Sequence, residues 1–422
     1  MQYALFGRCK SAYLWLMVLC SAATSAIAEN TEPTLTLKQA LTSTIDQNPE
    51  LYQYRFLAEA LNAQKETSSL SPVLEFNLDI DNFGGSGGNE GFDAAETTLA
   101  LSSVIEIGGK RQARMRYADS RINQAEWKQQ ATTLDTLGKL TQVYIEGLAT
   151  QANIQLAEES LTLSQSILKT VKSRSYRGAT AEAEVMRAQA ALTRAEIRLA
   201  SLQAQFERQK VLLARFWAET TPRFNALAGS LFDFGSIQPF DQLYARVQSS
   251  PTLQVMASEA RIRDAEVTLA RARDSSDVSW RAGIRRFEET GDSAFTASVS
   301  IPLFSGQRNK GEIKAALANR NAVDYAKQDL LLVLRARLYE AWSLRKQNIA
   351  TANLTQNVAI PALEKALKLT SKGFENGRYR YLDLIAAQEE LIASKQALID
   401  AAATALISQA LIEQLTGEAL NP

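Results

Sequence analysis

Few side chains of this chain are able to carry out catalysis. The 422 residues include no histidine, and the two cysteines, Cys9 and Cys20, both lie near the N-terminus. Histidine triads, histidine proton switches and zinc sites built on Cys or His are therefore excluded from the rest of the chain. Carboxylates remain, and a pair of them could act as acid and base in hydrolysis. None stands in a recognisable catalytic setting, so a hydrolase is the weakest functional hypothesis.

The charge balance argues against a nucleic-acid partner. Lys and Arg together number 46, as do Asp and Glu, and the sequence has no basic tail or long run of one charge. Nucleic-acid-binding domains usually carry a basic patch or a clear excess of positive charge. We therefore expect no nucleic-acid partner, and the residue types indicate no cofactor and no resident metal.

Residues 1–28 have the pattern of a secretory signal peptide. Two basic residues precede a short apolar run, and an A-x-A cleavage site follows at residues 26–28. The run is too short to span a hydrocarbon core of about 30 Å. Lipidation at Cys20 is less favoured, because Leu19 stands where a small residue is expected. No later run reaches about 18 apolar residues, so we predict an exported chain without a transmembrane helix.

The remaining chain divides into two similar halves, residues 29–229 and 230–422. Short motifs recur in the same order about 200 residues apart; for example, Asn48-Pro49-Glu50-Leu51 resembles Ser250-Pro251-Thr252-Leu253. Each half predicts a helical stretch, two strands and two long helices joined by a turn that contains glycine. Such a period is too long for a solenoid. We therefore predict one fold built from a duplicated unit.

Four segments alternate apolar and polar side chains with the period of a β-strand. They lie near residues 72–81, 97–107, 278–287 and 294–304. Such alternation is typical of a sheet packed on a soluble core, and also of a sheet between lipid and water. Four strands cannot close a barrel, for which about eight are needed. An open edge in lipid is very costly, so the membrane interpretation requires several chains.

Five polar side chains on these strands would share one face of the sheet. They are Glu75, Asn77, Asp79, Arg281 and Arg285. In a membrane barrel this face would line the water-filled lumen and influence the passage of ions. In a soluble sheet it would be a solvated face, and in neither case do we predict a binding site.

Long helices follow the strands in each half. Residues 122–175 contain no proline and predict a helix of about 50 residues. Residues 181–218 predict a second helix with the three-and-four spacing of a coiled coil. Pro361, inside a predicted helix at 336–372, is expected to kink or locally open it. The pattern fits an ordinary antiparallel hairpin, or hairpins from several chains packed into a tube.

These features together resemble the TolC-like outer membrane factors of Gram-negative bacteria. The resemblance covers the whole mature chain, and its most specific matches are residues 35–41 with 48–51, and residues 374–378 with 381–384. Residues 96–111 resemble, more narrowly, the CzcC-like branch that is linked to efflux of heavy-metal cations.

The resemblance implies a mainly α chain with a transmembrane β part. Three chains with four strands each would form a 12-stranded outer-membrane barrel, continued into the periplasm by a barrel of long helices. The loops at 81–96 and 288–293 would face outside, and the turns at 175–181 and 373–381 would form the periplasmic tip. The implied function is a passive exit duct for divalent heavy-metal cations, with no enzymatic activity. Its implied partners are two further chains, outer membrane lipid, a periplasmic membrane-fusion adaptor and an inner-membrane RND-type pump.

The same resemblance suggests adaptor contacts on the two tip turns. These are Tyr176, Arg177, Gly178, Phe374, Glu375, Asn376, Gly377 and Arg378. For the glycines a simpler explanation exists, because glycine commonly follows a helix end with positive φ.

Asp383 matches a family position where carboxylates ring the closed tip, and Glu184 is its equivalent in the first half. Both are implied as a pore constriction, although an acid in a first helical turn is also favoured by the helix dipole. Ala386 stands where some relatives carry a second acid, so this constriction would be less charged.

Two other functional interpretations remain open. A soluble periplasmic coiled-coil adaptor or scaffold would explain the helices but would leave four alternating strands without a role. An outer membrane channel for drugs, or for type I protein export, would share every element described above. The sequence does not distinguish these substrates, because a duct need not bind its cargo tightly.

Overall fold

A computed structural model describes residues 34–303 and 309–418. The predicted signal peptide at 1–28 and the last residue of the fourth predicted strand lie outside these ranges. The first half contains β1 (Thr34–Leu35), α1 (Leu37–Gln47), α2 (Pro49–Ser69), β2 (Glu75–Asp81), β3 (Glu96–Ile105), α3 (Lys110–Tyr176), α4 (Glu182–Ala214) and β4 (Ala226–Leu227). The second half contains α5 (Phe240–Val247), α6 (Pro251–Arg273), β5 (Val278–Phe287), β6 (Ser293–Ser300), α7 (Lys310–Leu354), α8 (Ile360–Glu375) and α9 (Tyr381–Thr416). Two helices, two strands and a long helical hairpin therefore follow each other in the same order twice.

The repeated Asn-Pro and Ser-Pro motifs are helix starts. Asn48 caps α2, because its side-chain oxygen accepts the backbone N–H of Glu50 at 2.9 Å and of Leu51 at 3.2 Å. Pro49 occupies the first turn, where its missing N–H costs nothing. The Asn48 amide also donates to the backbone oxygen of Phe216 at 2.7 Å, which ties this helix start to the end of the first hairpin. In the second half Pro251 holds the same first-turn position in α6.

The four longer strands form one antiparallel sheet in the order β2-β3-β5-β6. Apolar residues meet across it in rows; one row runs Leu78, Leu99, Ile284, Phe295. The strands start and end close to the alternating segments. The fourth ends at Ser300, earlier than the expected 304, because Pro302 lacks the N–H that would continue the ladder.

The long helix of the first half exceeds its expected length. It begins at Lys110 and not near 122, directly after Gly108 and Gly109, whose φ values of 78° and 71° turn the chain out of the sheet. Its 67 residues correspond to roughly 100 Å at about 1.5 Å per residue. In the second half the corresponding long helix is divided into α7 and α8 by a π-helical segment, Thr355–Ala359, which lies just before Pro361. This is the local opening expected where proline removes a helical hydrogen bond.

Helix α9 is a core helix. Within the described ranges it is the one helix with the length and mean hydropathy of a membrane span. However, 44% of its apolar window is buried inside the protein. Ala402 and Ala405 are enclosed, and Ile399 packs in a cluster with Leu140 and Tyr144 of α3. Its apolar composition is therefore explained by packing between α3 and α7.

Tyr144 fixes the short parallel pair β1–β4 to the middle of α3. Its buried hydroxyl lies 2.7 Å from the backbone oxygen of Leu35 and 2.5 Å from that of Ala228, and its one proton is shared between these two acceptors. Gln151 adds a reciprocal pair with the backbone of Leu227. Burial raises the pKa of Tyr144 to about 12, so the hydroxyl keeps its proton at every physiological pH.

A second attachment holds the segment that connects the two halves. The Trp342 indole N–H donates to the backbone oxygen of Gln238 at 3.0 Å, and the buried Arg345 guanidinium donates to the backbone oxygens of Phe234 and Ser236. Burial lowers the pKa of Arg345, while the charge of Glu413 acts in the opposite direction. The connecting segment is thus bound to one face of α7.

We predict that Tyr144→Phe lowers the free energy of unfolding by about 1–3 kcal/mol, because the buried oxygen of Ala228 loses its hydroxyl donor, whereas the oxygen of Leu35 still accepts the Ala228 N–H at 2.9 Å. The pKa of Tyr144 is raised above its ordinary value, so the stability it contributes is complete below pH about 10 and is lost as pH rises toward 12. Urea unfolding of detergent-extracted protein at pH 8, 10 and 12 measures both effects. Tyr325→Phe, at an exposed position, is the control; an equal loss in both variants would contradict the assignment.

Candidate functional site

The five predicted lumen residues lie on one face of the sheet. Arg281 donates to a carboxylate oxygen of Asp79 at 2.8 Å and to the side-chain oxygen of Asn77 at 3.3 Å. These contacts connect β5 to β2 across β3. Glu75 shares this face through the register that aligns it with Ser102 and Arg281. Its carboxylate forms no ion pair with residues 34–303 or 309–418.

Arg285 forms a second network on the same face. It donates to Glu96 at 2.7 Å and to the Thr98 hydroxyl at 2.9 Å, and lies 3.9 Å from Asp81. Glu96 and Asp81 were not among the predicted lumen residues, although both have the strand parity of the other polar residues. The face carries four carboxylates and two guanidinium groups, a net charge of −2 per chain. It can therefore attract cations more strongly than anions.

The opposite face of the sheet is apolar and exposed. Phe76 is 69% exposed and Phe295 is 90% exposed, with Leu78, Leu99 and Ile284 exposed between them. Contiguous apolar surface of this kind marks an interaction site or a membrane contact. The outer strands β2 and β6 each pair on one side only within the described chain, so the sheet also presents two unpaired backbone edges.

The two helical turns at the far end are close together. Gly178 and Gly377 have φ values of 71° and 76° directly after a helix end, which is the capping role that glycine commonly fills. Tyr176 is 95% exposed, and the non-glycine residues Arg177, Glu375, Asn376 and Arg378 are exposed with it. These side chains are available to a partner.

Phe374 is placed differently from the adaptor-contact expectation. It is 2% exposed and packs with residues of all four tip helices, including Val171, Leu192 and Leu384. An aromatic side chain in this position stabilises the tip from inside, because it is enclosed by apolar neighbours. It is therefore not available to a partner in this conformation.

Arg174, which sequence analysis did not identify, joins the two tip turns. Its guanidinium donates to the backbone oxygens of Phe374 at 2.6 Å and Glu375 at 2.8 Å, and lies 4.8 Å from the centre of the Phe374 ring. It also donates to the Thr180 hydroxyl at 3.2 Å in its own turn. The two carbonyls are in the last turn of α8, where the usual helical donors run out; that of Phe374 also accepts the backbone N–H of Gly377 at 3.0 Å. One side chain of the first half thus caps a helix of the second.

Asp383 caps the start of α9. Its carboxylate accepts the backbone N–H of Arg380 at 2.8 Å, the contact expected of an acid at the third helical position. Glu184 occupies the same third position in α4 and lies close enough to Tyr381 to influence its pKa, which is raised mainly by burial. The structure therefore gives Asp383 a helix-capping role and keeps both acids near the tip.

Within residues 34–303 and 309–418, no group of three or more His, Cys, Asp or Glu side chains could hold a metal ion. The arrangement found is instead a polar sheet face at one end and a small charged tip at the other, about 100 Å of helix apart.

We predict that Arg174→Gln loosens the connection between the two tip turns by about 2–4 kcal/mol, because hydrogen bonds from a charged donor are lost. The chain beyond Cys20 has no cysteine, so spin labels can be introduced at Tyr176→Cys and Asn376→Cys. Pulsed electron spin resonance should show a broader distance distribution in the variant. Arg177→Gln is the matched control in the same turn, and identical distributions for wild type and Arg174→Gln would refute this role.

Comparison with known proteins gives a consistent result. The cobalt-zinc-cadmium resistance protein CzcC of Cupriavidus metallidurans is 24% identical over 302 residues, covering 71% of this chain and 72% of that protein. The nickel-cobalt-cadmium resistance protein NccC of Alcaligenes xylosoxydans xylosoxydans is 27% identical, covering 62% and 57%. The solved structure of the outer-membrane channel OprN superposes with a TM-score of 0.78 at 18% identity, covering 92% of this chain and 91% of that one, which shows a shared fold.

The family model for outer membrane efflux proteins matches residues 40–219 and 243–418. These two ranges correspond to the two halves of the structure and together include both tip hairpins and all four strands of the large sheet. The predicted resemblance and the predicted outer-membrane location are thereby confirmed. The chain belongs to the outer membrane efflux protein family, whose members are outer-membrane channels and not enzymes.

Proposed function

We propose that three copies of this chain form the outer-membrane exit duct of a tripartite efflux system for divalent heavy-metal cations. The observation that carries the proposal is the four-stranded sheet with one exposed apolar face, one polar face and two free edges. Water on both sides would leave the apolar face exposed at high cost. A soluble scaffold would leave the apolar face in water. In a membrane barrel the apolar face contacts lipid and the polar face contacts water.

The strand dimensions fit this arrangement. Strands β3 and β5 have 10 residues each, or about 34 Å when extended. With the usual tilt of about 45°, they cover the roughly 25 Å apolar band of an outer-membrane barrel. Three sheets joined through the edges of β2 and β6 give twelve strands and leave no edge unpaired. The duplicated halves supply two hairpins per chain, which we propose to pack into a periplasmic tube.

The metal substrate is supported by the relatives CzcC and NccC, which are named as metal resistance proteins, and by the charge of the sheet. A polar face with a net charge of −2 per chain favours cations in transit. We propose that Asp383 and Glu184 add carboxylates at the tip constriction. The exposed tip residues Tyr176, Arg177, Glu375, Asn376 and Arg378 would contact the periplasmic adaptor, which links the duct to an inner-membrane RND-type pump.

The assembly can be tested in the extracted protein. We expect it to require detergent for release from the outer membrane, to have the mass of a trimer, and to form conducting channels in planar bilayers. Light scattering with detergent correction measures the mass. Recovery of a soluble monomer from the periplasm would refute the duct and favour the scaffold alternative.

The cargo can be tested by deletion and complementation. We expect deletion to lower zinc, cobalt or cadmium tolerance while drug tolerance stays unchanged; the reverse pattern would favour a drug channel.

The role of the tip carboxylate can be tested separately. The variant Asp383→Asn keeps a side-chain oxygen for the Arg380 N–H but removes the charge. In bilayers this variant should lower the cation-over-anion permeability ratio by about tenfold at low salt, because charge at a constriction concentrates counter-ions. Glu390→Gln, at an exposed position on the same helix, is the control.

A further inference from the structure

The chain carries an unbalanced positive charge where its helices leave the sheet. Five exposed basic residues lie there: Arg111 and Arg116 on α3, Arg271 and Arg273 on α6, and Lys314 on α7. We call them the basic collar. Three acidic residues, Glu66 in the last turn of α2, Asp274 and Glu312, lie at the same junction and offset only part of this charge.

Among the residues that the structure describes, the basic residues next to the collar form ion pairs and the collar residues do not. Lys110 pairs with Asp277 at 2.7 Å, and Arg114 pairs with both carboxylate oxygens of Glu106. These two pairs hold the strand-to-helix junction together. Within the described chain, by contrast, no collar residue forms an ion pair, and Arg111 has one neutral hydrogen bond, to Ser71 at 3.0 Å.

Helix electrostatics do not explain most of the collar. Positive charge is disfavoured near a helix start, where the dipole is itself positive. Nevertheless Arg111, Arg116 and Lys314 lie in the first two turns of α3 and α7, and the first turn of α3 has no acidic residue. Arg271 and Arg273 are in the last turn of α6, where the dipole favours them. Neither an ion pair within the described residues nor the helix dipole therefore explains the positions of Arg111, Arg116 and Lys314.

The opposite end of the sheet has the reverse charge. Residues 81–96 and 285–293 contain seven acidic and two basic residues. The collar is thus a property of one rim of the sheet and not of both. The two ends of the sheet therefore carry opposite charge, and each end would interact differently with the membrane surface beside it.

The collar also lies at the right depth for lipid headgroups. Arg116 is the seventh residue of α3 and Lys314 the fifth of α7, which places their Cα atoms about 6–9 Å from the helix starts. Helical side chains lean back toward the N-terminus, so both cations lie nearer to the sheet than their Cα atoms do. The polar zone outside the hydrocarbon core is about 5–8 Å thick on each side. The exposed apolar face of the sheet ends directly above.

We propose that the basic collar binds the headgroups of anionic phospholipids in the periplasmic leaflet of the outer membrane. The proposal rests on the proposed orientation, with the helices in the periplasm. The apolar sheet face holds the acyl chains, and the unpaired cations below it hold the phosphates. The contact adds an electrostatic restraint on the depth at which the barrel sits.

Lipid selectivity in vesicles tests the collar. Spin-labelled phosphatidylglycerol and phosphatidylcholine are compared at the surface of the wild-type trimer in phosphatidylcholine vesicles. We expect roughly fivefold preference for phosphatidylglycerol, the effect of about one basic residue near a headgroup. The triple variant Arg111→Gln, Arg116→Gln, Lys314→Gln should reduce the preference toward one. Arg187→Gln, Arg194→Gln, Arg198→Gln removes the same charge from exposed positions on α4 and should leave it unchanged.

Salt dependence provides a second measurement that needs no variant. In 1 M NaCl the Debye length is about 3 Å, so the wild-type preference should disappear. A preference that persists in high salt, is absent from the wild type, or is lost equally in the α4 variant would overturn the proposal. A collar variant that changes channel conductance but not lipid selectivity would place these cations in the lumen and overturn it also. Trimer mass and conductance of the same samples report separately on the proposed duct.

Discussion

The requirement that every backbone N–H and C=O group find a partner in hydrocarbon governs this architecture. A four-stranded sheet leaves one row of such groups free along β2 and another along β6, and neither lipid nor a flat sheet can satisfy them. Placing the sheet in water is equally unfavourable, because its apolar face would be exposed to solvent. In the proposed trimer, edge pairing between copies would meet both demands together, and the long helices of different chains would begin side by side beneath the sheet. The repeated order of elements then gives each chain two equivalent hairpins to contribute.

Polar contacts between the halves keep those hairpins in a defined relation. Arg174 of the first half caps the end of α8 in the second, and Arg281 and Arg285 of the second half hold carboxylates of the first. The contacts are at opposite ends of the molecule, with the buried cluster around Tyr144 between them. The two halves therefore form one structure through the β3–β5 ladder and the shared buried clusters, and the charged contacts add connections at both ends.

Local periodicity made much of this fold predictable. Alternation of side chains identified the four strands and the polar face, because a period of two is visible without knowing the partners. The proline at 361 indicated a disturbed helix, and a π-helical segment precedes it. Arg174 and the burial of Phe374 were not accessible in this way, since each depends on contact between residues that are far apart in sequence. The early start of α3 was missed because two glycines set the turn out of the sheet, and the apolar spacing begins only later.

The register of the sheet has a consequence for how such a chain can change over time. One inserted residue within β3 would exchange its lipid-side and water-side side chains for the length of the strand, moving Thr98 outward and Leu99 inward. Only insertions in pairs, or in the connecting loop from Asn82 to Ala95, preserve both faces. That loop begins with Asn82 at a φ of 57° and contains several glycines at positive φ, so its backbone is already adapted to sharp turns. We therefore expect this loop, which the proposed orientation places at the outer surface, to accept changes of length that the strand a few residues away would not.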